Sequence, residues 1–493
     1  MNLVALQEDV SAETTTIPRP ERGALVRLLT CGSVDDGKST LIGRLLWDTA
    51  GVTEDQRTAV MHASHNRPLN GEKIDFSLLL DGLQAEREQG ITIDIAWRYF
   101  ETPGRRFIII DSPGHEQYTR NMATGASHAD IAILLVDARH GAKRQTRRHA
   151  AICDLVGIRR VVLAVNKMDA VNWSEARYRE IEADFRAMAG SFNFAQVTII
   201  PVAALTGDNV AYRSTTMPWY AGPTLLDYLE AVDPEAAPAD TPFRMPVQLV
   251  LRAAGDFRGY AGTVTSGRIS VGERIVDARS GLGATLRRIA TMDGDRTFAS
   301  KGDAVTLVLD ADLDISRGAV LSEVPRRPTN ADVIEARLVW LSETPFDPEA
   351  GYLLRTATDL TPVTSMSVSA LVDFETLALQ PAHACGVNDI ADCRILLGRP
   401  AAIDLFRDLP LTGSFVLVSA IDGATVAGGV ISWAQAGAPA VGDNVLVLDR
   451  ALLASGVCAD LGDSPADLAE FNRRAQEVAI LLRSVGVPVL IEI

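Results

Sequence analysis

The sequence is poor in cysteine and aromatic residues, and it has no long hydrophobic run. It contains five cysteines and 6% aromatic residues among 493 positions. No two cysteines form a C-x-x-C pair, and the odd count argues against a disulfide framework, so a reducing cytoplasm is the predicted compartment. No run approaches the roughly 18 apolar residues of a membrane span, and no basic region of the signal-peptide type opens the chain. Neither secretion nor a membrane partner is therefore predicted.

An excess of positive charge is also missing. The chain has 47 Lys and Arg against 63 Asp and Glu, a net charge of −16, so no nucleic-acid partner is expected, although a local basic patch would still attract one. One basic run stands out, formed by Lys143, Arg144, Arg147 and Arg148 with His149 beside them. Charge runs usually mark a solvated helix face, which is the first interpretation; a partner-docking or anion-binding face is the alternative.

What the chain does have is a regular alternation of apolar runs and helix-length segments. Such runs occur at residues 107–110, 131–136, 161–165 and 197–201. This pattern predicts an α/β domain with a doubly wound, mostly parallel sheet. Ligands of such sheets bind at the carboxyl ends of the strands, where the polar motifs of this chain also occur.

The first motif is a phosphate-binding loop. Its residues fit G-x-x-x-x-G-K-[ST], between an apolar run and a helical pattern: Gly32, Ser33, Val34, Asp35, Asp36, Gly37, Lys38 and Ser39, followed by Thr40. In this context backbone N–H groups surround phosphates at a helix N-terminus. Lys38 is predicted to reach the β- and γ-phosphates, and the Ser39 hydroxyl to bind Mg²⁺.

Two further segments are predicted to sense the γ-phosphate. After the strand at 107–110 comes Asp111-Ser112-Pro113-Gly114-His115. Asp111 suits a Mg²⁺ contact through water, Gly114 permits close approach of its backbone N–H, and His115 is predicted to orient the attacking water. In the stretch 87–94, the Thr92 hydroxyl is predicted to complete the Mg²⁺ shell, which makes that stretch a switch.

The two remaining segments are predicted to recognise the guanine base. Asn166-Lys167-Met168-Asp169 follows the strand at 161–165, and Ala203-Ala204-Leu205 follows the strand at 197–201. The Asp169 carboxylate is predicted to accept hydrogen bonds from guanine, which adenine does not offer, so GTP is preferred over ATP. The backbone N–H of Ala204 is predicted to meet guanine O6.

With these motifs in order, the chain resembles the translation-factor GTPases, and more closely the GTPase (large) subunit of bacterial sulfate adenylyltransferase. The resembling stretches are 32–47, 81–100, 111–130, 145–171, 256–264, 293–294, 314–318 and 412–430. The resemblance implies two antiparallel β-barrels after the GTPase domain. It also implies an enzyme that forms adenosine 5′-phosphosulfate and pyrophosphate from ATP and sulfate. The implied partner, in a heterodimer or a larger assembly, is a small catalytic subunit that performs the adenylyl transfer while GTP hydrolysis drives it.

Two features depart from the family pattern. The family usually has Ser-Ala-Leu where this chain has Ala203-Ala204-Leu205, which predicts weaker guanine binding with unchanged specificity. The last fifty residues predict a β-α-β piece with a helix from Ser464-Pro465 to Gly486, whose apolar face runs from Leu468 to Val485. This tail resembles the middle of adenylylsulfate kinase, but no second phosphate loop precedes it, so a remnant without kinase activity is predicted.

The predicted organisation has five parts. They are an N-terminal segment at 1–23, a GTP-binding domain at 24–236, barrels at 241–326 and 329–436, and the kinase-like tail at 440–493. Two other functions remain open from the residues alone: a translation factor that delivers charged tRNA, and a bifunctional transferase–kinase. The acidic balance disfavours the first, and the missing second phosphate loop disfavours the other.

Overall fold

The structure is a computed structural model. It describes residues 25–49, 52–64, 74–80, 92–233, 240–252, 257–357, 359–436, 446–454, 456–462, 464–484 and 489–492. The predicted N-terminal segment 1–23 and residues 87–91 of the predicted switch lie outside this part of the chain.

The N-terminal domain is built on a six-stranded sheet with the order β2-β3-β1-β4-β5-β6. Its strands are β1 Val26–Gly32, β2 Ala96–Glu101, β3 Arg106–Asp111, β4 Ile131–Asp137, β5 Arg160–Asn166 and β6 Gln196–Pro201. All neighbours pair in parallel except β2, which is antiparallel to β3. Strands β4 and β5 are buried along almost their whole length, as expected for a sheet covered on both faces. The predicted mostly parallel fold is confirmed.

Helices connect these parallel strands. They are α1 Lys38–Asp48, α2 Glu54–Ser64, α3 Thr119–Ala126, α4 Arg144–Leu155, α5 Glu175–Ala189 and α6 Leu225–Ala231. Short 3₁₀ helices occur at Phe76–Leu79, Glu116–Tyr118 and Met168–Val171. The connections bring the phosphate loop, Asp111 and Asn166 to one edge of the sheet, because each follows or closes a parallel strand.

A first antiparallel barrel follows the N-terminal domain. Its strands are β7 Arg244–Pro246, β8 Leu249–Arg252, β9 Arg258–Thr263, β10 Arg268–Ser270, β11 Arg274–Asp277, β12 Gly283–Thr291, β13 Gly294–Arg296, β14 Phe298–Ser300, β15 Ala304–Leu309 and β16 Val320–Glu323. Backbone hydrogen bonds from the β7 region to Ser266 and Ala261 close the sheet on itself. Its core is apolar, with Tyr260 and Phe243 fully buried.

A second barrel contains seven strands. They are β17 Thr329–Trp340, β18 Tyr352–Arg355, β19 Leu360–Val372, β20 Leu379–Pro381, β21 Ile390–Ile403, β22 Ser414–Ser419 and β23 Thr425–Gln435. The order β18-β22-β23-β17-β21-β19 is closed by the pairing of β18 with β19. Both barrels confirm the predicted antiparallel architecture.

A buried ion pair joins the two barrels. The Arg244 guanidinium lies 3.0 Å and 2.9 Å from the two carboxylate oxygens of Asp404, and the Thr412 hydroxyl donates to the same carboxylate at 2.7 Å. Arg244 is 2% exposed. Two parallel charge-assisted bonds fix both distance and orientation, so this contact holds the barrels in one arrangement.

The basic run on α4 is not a solvated helix face, and the first interpretation of it is wrong for two of its members. Arg148 and His149 are buried, with exposed fractions of 4% and 1%. The second barrel covers them: its Phe374, Val339 and Ile390 join the hydrophobic core of the N-terminal domain. Local charge density could not reveal this burial, because the covering residues lie more than 180 positions later in the sequence.

The C-terminal tail forms a compact unit of its own, Gln435–Ile493. Strands β24 Leu446–Asp449 and β25 Val489–Glu492 pair in parallel, and the helices are α7 Arg450–Ala454 and α8 Pro465–Ser484. The Ser464 hydroxyl accepts the N–H of Asp467 and begins α8. The buried residues of α8 are Phe471, Ala475 and Ala479, whereas Leu468 is 39% exposed. Leu468 is therefore not part of the buried face, contrary to the prediction, and Val485 lies outside the described residues.

Within the described residues, no helix is long and apolar enough to cross a membrane. The predicted domain bounds at 24–236, 241–326, 329–436 and 440–493 stay predictions.

Candidate nucleotide site

The phosphate loop connects β1 to α1 and is held by its own side chains. The Asp36 carboxylate accepts the backbone N–H of Ser33 at 2.7 Å. Gly37 has φ of 89° and precedes α1 without any side-chain cap, and the first turn of α1 has no acidic residue. The first N–H groups of α1 therefore have no side-chain acceptor. Such a helix N-terminus favours an anion.

Lys38, the first residue of α1, is buried and faces the end of β3. Its Nζ lies 3.9 Å from Oδ1 of Asp111, and both side chains are less than 10% exposed. Ser39 and Thr40 follow in the same turn, and both are half-buried. The Lys38 amine and the Asp111 carboxylate thus meet at the carboxyl edge of the sheet, and the hydroxyl-bearing Ser39 and Thr40 are the next residues along the helix.

The segment after β3 packs tightly against the phosphate loop. The Ser112 hydroxyl donates to the carbonyl of Thr30 at 2.8 Å, and Pro113 is buried behind it. At Gly114 a Cβ atom would lie 2.4 Å from the carbonyl oxygen of Gly32. Only a glycine permits this approach without a shift of the backbone.

His115 is exposed at the end of this segment. Its Nδ1 accepts the backbone N–H of Gln117 at 3.2 Å, which caps the 3₁₀ helix Glu116–Tyr118. With Nδ1 as acceptor, the hydrogen-bond pattern assigns the proton of a neutral ring to Nε2. The ring is thereby held with one N–H donor available.

Thr92 lies half-buried at the start of the segment that leads into β2. The next residue, Ile93, accepts a hydrogen bond from the Asn121 side chain at 3.1 Å, which ties this segment to α3. In the part of the chain that the structure describes, no group of three or more His, Cys, Asp or Glu residues would hold a metal alone. The hard oxygens of Ser39, Thr92 and Asp111 fit Mg²⁺ when phosphate oxygens supply further ligands.

Asn166 connects the guanine-reading motif with the phosphate loop. Its Nδ2 donates to the carbonyl of Asp36 at 2.9 Å, and its Oδ1 accepts the N–H of Ala204 at 3.0 Å. A Cβ at Gly37 would meet the same Nδ2 at 2.5 Å. The Ala204 N–H thus already has an acceptor, and its contact with guanine O6 stays a prediction.

The neighbours of Asn166 complete the floor of the site. Lys167, with φ of 61°, directs its Nζ to the carbonyl of Asp35 and to Oδ2 of Asp137 at 3.1 Å. Met168 is fully buried and hydrogen-bonds through its N–H to Val202. Asp169 is the second residue of the 3₁₀ helix Met168–Val171 and is half-buried, so its carboxylate is held at the surface of the site.

The last predicted segment, Ala203 to Leu205, forms the far wall. Ala203 and Ala204 are buried, and the carbonyl of Leu205 accepts a hydrogen bond from the Arg44 guanidinium at 3.2 Å. The loop is thus anchored to α1, on the opposite side from Asn166. The weaker guanine binding expected from Ala203 stays a prediction.

Two acidic residues of the site have shifted pKa values. Burial raises the pKa of Asp36, although the N–H of Ser33 and the charge of Lys143 oppose this. Burial also acts to raise the pKa of Asp137, but hydrogen bonds from Arg139 and Lys167 outweigh it and lower the value. Asp137 was not predicted as a site residue; its place at the carboxyl end of β4 was the available signal.

Family comparisons identify two parts of the chain. Residues 24–237 match the family described as elongation factor Tu GTP binding domain, and residues 333–432 match the family described as GTP-eEF1A C-terminal domain-like.

Individual relatives cover more of the chain. Sulfate adenylyltransferase subunit 1 of Colwellia psychrerythraea is 44% identical, over 87% of this chain and 91% of its own length. The bifunctional enzyme NodQ of Rhizobium sp. (strain N33) is 43% identical, over 96% of this chain and 80% of its own. A solved structure of Sup35 complexed with GMPPNP is 26% identical, with a TM-score of 0.38, over 86% of this chain and 97% of the other.

Proposed function

The chain belongs to the sulfate adenylyltransferase subunit 1 family of translation-factor-like GTPases, and from this premise we propose that it couples GTP hydrolysis to sulfate activation. The observation that carries the proposal is the convergence of three motifs at one edge of the sheet. Asn166 hydrogen-bonds both to the phosphate loop and to the 203–205 loop, while Lys38 faces Asp111.

The chain binds GTP, and the geometry supports the following proposal for the residues that contact each part of the nucleotide. The N–H groups at the start of α1 and the buried Lys38 carry the positive potential that the phosphates need. Asp169 would accept the guanine N1–H and 2-amino donors, so an adenine base would leave the carboxylate unpaired.

We assign the metal to Ser39, Thr92 and, through water, Asp111. Mg²⁺ would neutralise phosphate charge, as in other nucleotide hydrolases. Thr92 lies in a segment tied to α3 through Ile93 and Asn121. A hydroxyl on that segment would therefore report the presence of the γ-phosphate to the rest of the domain.

For hydrolysis we assign His115 the task of orienting the attacking water. A new bond forms between the water oxygen and the γ-phosphorus, and the bond to the bridging oxygen breaks, which leaves GDP and inorganic phosphate. The His115 ring is held by its cap to Gln117, and Gly114 brings the same segment to the phosphate loop. Lys38 would stabilise the charge that develops on the leaving group.

The partner is proposed to be the small subunit that binds ATP and sulfate and forms adenosine 5′-phosphosulfate. The relatives named "subunit 1" imply a second subunit, and the resemblance assigns adenylyl transfer to it. The described chain offers one nucleotide site, which the guanine-reading motif commits to GTP. Coupling between two sites is reciprocal for binding, so sulfate and ATP at the partner should change GTP affinity here. We place this assembly in the cytoplasm.

The test is reconstitution with the small subunit. Adenosine 5′-phosphosulfate formation from ATP and sulfate is measured for this chain alone, for the small subunit alone, and for both together, with GTP or with a non-hydrolysable analogue. We expect product above the GTP-free equilibrium level only with both proteins and GTP, and faster GTP turnover in the complete mixture. Synthesis by this chain alone, or a yield indifferent to GTP, would refute the proposed division of labour.

A further inference from the structure

The 3₁₀ helix that follows His115 is held from outside its own segment. Glu116 begins this helix, and its carboxylate Oε1 lies 2.6 Å from Nη1 of Arg148 on α4. The backbone carbonyl of Glu116 accepts a hydrogen bond at 3.1 Å from the side chain of Asn388, which belongs to the second barrel. The residue adjacent to His115 is thus held by two elements, one of them in another domain.

Arg148 is an unusual residue for a surface ion pair, because it is almost completely buried. Its side chain is 5% exposed, whereas that of Glu116 is 55% exposed. The guanidinium lies over the ring of Phe374 of the second barrel, 4.8 Å from the ring centre. The aromatic face and the carboxylate together compensate the cost of burying the charge. The barrel therefore determines where Arg148 lies, and Arg148 in turn contacts Glu116.

Arg148 also belongs to a buried polar chain that leads toward the phosphate loop. Its Nη1 donates to Gln145 at 3.2 Å, and the Gln145 side-chain nitrogen lies 2.9 Å from Nε2 of His149. Burial, and the charges of Lys38 and Arg148, lower the pKa of His149, so its ring stays neutral. A neutral ring beside Lys38 leaves the positive charge of that lysine to the phosphates.

The 3₁₀ helix borders a cavity of about 1020 Å³ that lies between it and the second barrel. Glu116, Gln117, Tyr118 and Arg120 line the cavity from the helix side, and Asn388 lines it from the barrel. Within its own segment, the Glu116 carbonyl also accepts the Thr119 hydroxyl at 2.6 Å. The bonds from Arg148 and Asn388 add to this local contact and tie Glu116 to α4 and to the second barrel.

We propose that Arg148 and Asn388 are positioning residues for GTP hydrolysis, so that docking of the second barrel on α4 sets the orientation of His115. Neither residue touches the nucleotide; both act through Glu116. Since the His115 ring caps the helix that Glu116 begins, movement of Glu116 changes the direction of the imidazole N–H. An error of about 1 Å in such a group costs up to about 10²-fold in rate. The inference rests on the proposed role of His115.

The experiment compares single-turnover GTP hydrolysis with GTP affinity in the full chain. Arg148→Met removes the charge and keeps a long apolar side chain against Phe374. It leaves the half-exposed Glu116 carboxylate and the partly buried Gln145 side-chain oxygen without this donor, so folding should survive. We expect hydrolysis about 10- to 100-fold slower, with GTP affinity within about threefold of the parent. Arg148→Lys should recover part of the rate. Glu116→Gln should match Arg148→Met, and the double variant should be no slower than either single one, since both disrupt one contact.

Two further variants separate the possible outcomes. Asn388→Gly removes the amide donor while a glycine retains the φ of 69° found there, and it should also slow hydrolysis. Arg144→Met is the matched control, since Arg144 lies one turn earlier on α4 and pairs with the exposed Glu375; it should hydrolyse GTP at the parent rate.

Parent-rate hydrolysis in both Arg148→Met and Asn388→Gly would overturn the inference, as would multiplicative losses in the Arg148 and Glu116 double variant. His115→Ala is measured beside them. If His115→Ala hydrolyses GTP slowly while Arg148→Met hydrolyses it at the parent rate, the proposed function is left intact. If His115→Ala instead hydrolyses GTP at the parent rate while Arg148→Met hydrolyses it slowly, the role of His115 is refuted. Glu116 would then position a different group.

Discussion

At the scale of single residues, the proposed selection of the base depends on Asp169. Asp169 is half-buried in the 3₁₀ helix Met168–Val171. The preceding residue, Met168, is fully buried in the core. Asp169→Asn replaces an acceptor by a group that offers guanine one acceptor and one donor. We expect GTP affinity to fall by several factors of ten and xanthosine triphosphate to be accepted, because its 2-oxo group pairs with the new amide. Binding of both nucleotides to the variant measures this.

A matched control for that substitution is Asp184→Asn, at an exposed position of α5. It should bind both nucleotides as the parent does. If Asp169→Asn kept full GTP affinity and still rejected xanthosine triphosphate, the base would have to be read elsewhere in the site.

His149 gives the stability of the chain a defined pH dependence. Burial is the largest cause that lowers the pKa of His149, from 6.5 to about 3. The unfolded chain binds a proton at this position below about 6.5, and the folded chain does not until about 3, so stability present above pH 6.5 is lost as the pH falls through that window. Each pKa unit corresponds to about 1.4 kcal/mol. We expect the urea midpoint to fall between pH 7 and pH 5, and less so in His149→Gln.

The comparison variant is His140→Gln, at an exposed position. It should keep the pH dependence of the parent. A His149→Gln protein whose urea midpoint falls with acid as steeply as that of the parent would show that other groups carry the dependence.

At the scale of elements, the contact between the phosphate loop and the segment after β3 depends on Gly114. Its missing Cβ would lie 2.4 Å from the carbonyl oxygen of Gly32. Gly114→Ala forces the two segments apart. We expect GDP affinity to persist while the preference for GTP and its hydrolysis are lost, because the γ-phosphate is predicted to bind at this contact. Gly104→Ala, where a Cβ would meet nothing within 4 Å, should behave as the parent. The ratio of GTP to GDP affinity distinguishes these outcomes.

The same elements show what the sequence could and could not predict. Strand and loop positions followed from apolar runs with polar residues at their ends, and β1 and β3 to β6 lie where those runs predicted them. The role of Asn166 in joining two loops was not predicted, since spacing along the chain does not reveal which side chain crosses between strands. The burial of Arg148 was missed for a related reason: Phe374 and Asn388 reach it only through the docking of a distant barrel.

At the scale of the whole molecule, the two barrels and the N-terminal domain are joined by contacts of different kinds. Between the barrels, Arg244 and Asp404 form a buried bidentate pair. Toward the N-terminal domain, the second barrel contributes apolar side chains and the contacts of Phe374 and Glu375 with arginines of α4. Two barrels joined by a buried ion pair, one of which contacts Glu116 beside His115, are suited to convert a nucleotide change into movement of a large surface.

The C-terminal tail has a kinase-like fold, but no kinase activity is predicted for it. It has the parallel strands and long helix of a β-α-β unit, with its own apolar cluster around Phe471, Ala475 and Ala479. Arg474 binds Asp460 and Glu470 within the same unit, which further stabilises it. Its strands and helix therefore have a structural explanation that needs no ligand.

Kinase activity would require more than this unit provides. Phosphoryl transfer depends on positioned phosphates, and hence on a loop of backbone N–H groups with a lysine and a hydroxyl for Mg²⁺. The sequence has no second loop of this kind before residue 445. We expect no ATP-dependent phosphorylation of adenosine 5′-phosphosulfate by the full chain, and largely unchanged GTP hydrolysis after deletion of residues 440–493. Lys38→Ala is the decisive variant: kinase turnover that survives it would reveal a second nucleotide site, whereas loss of GTP hydrolysis on deleting the tail would show that this unit supports the first.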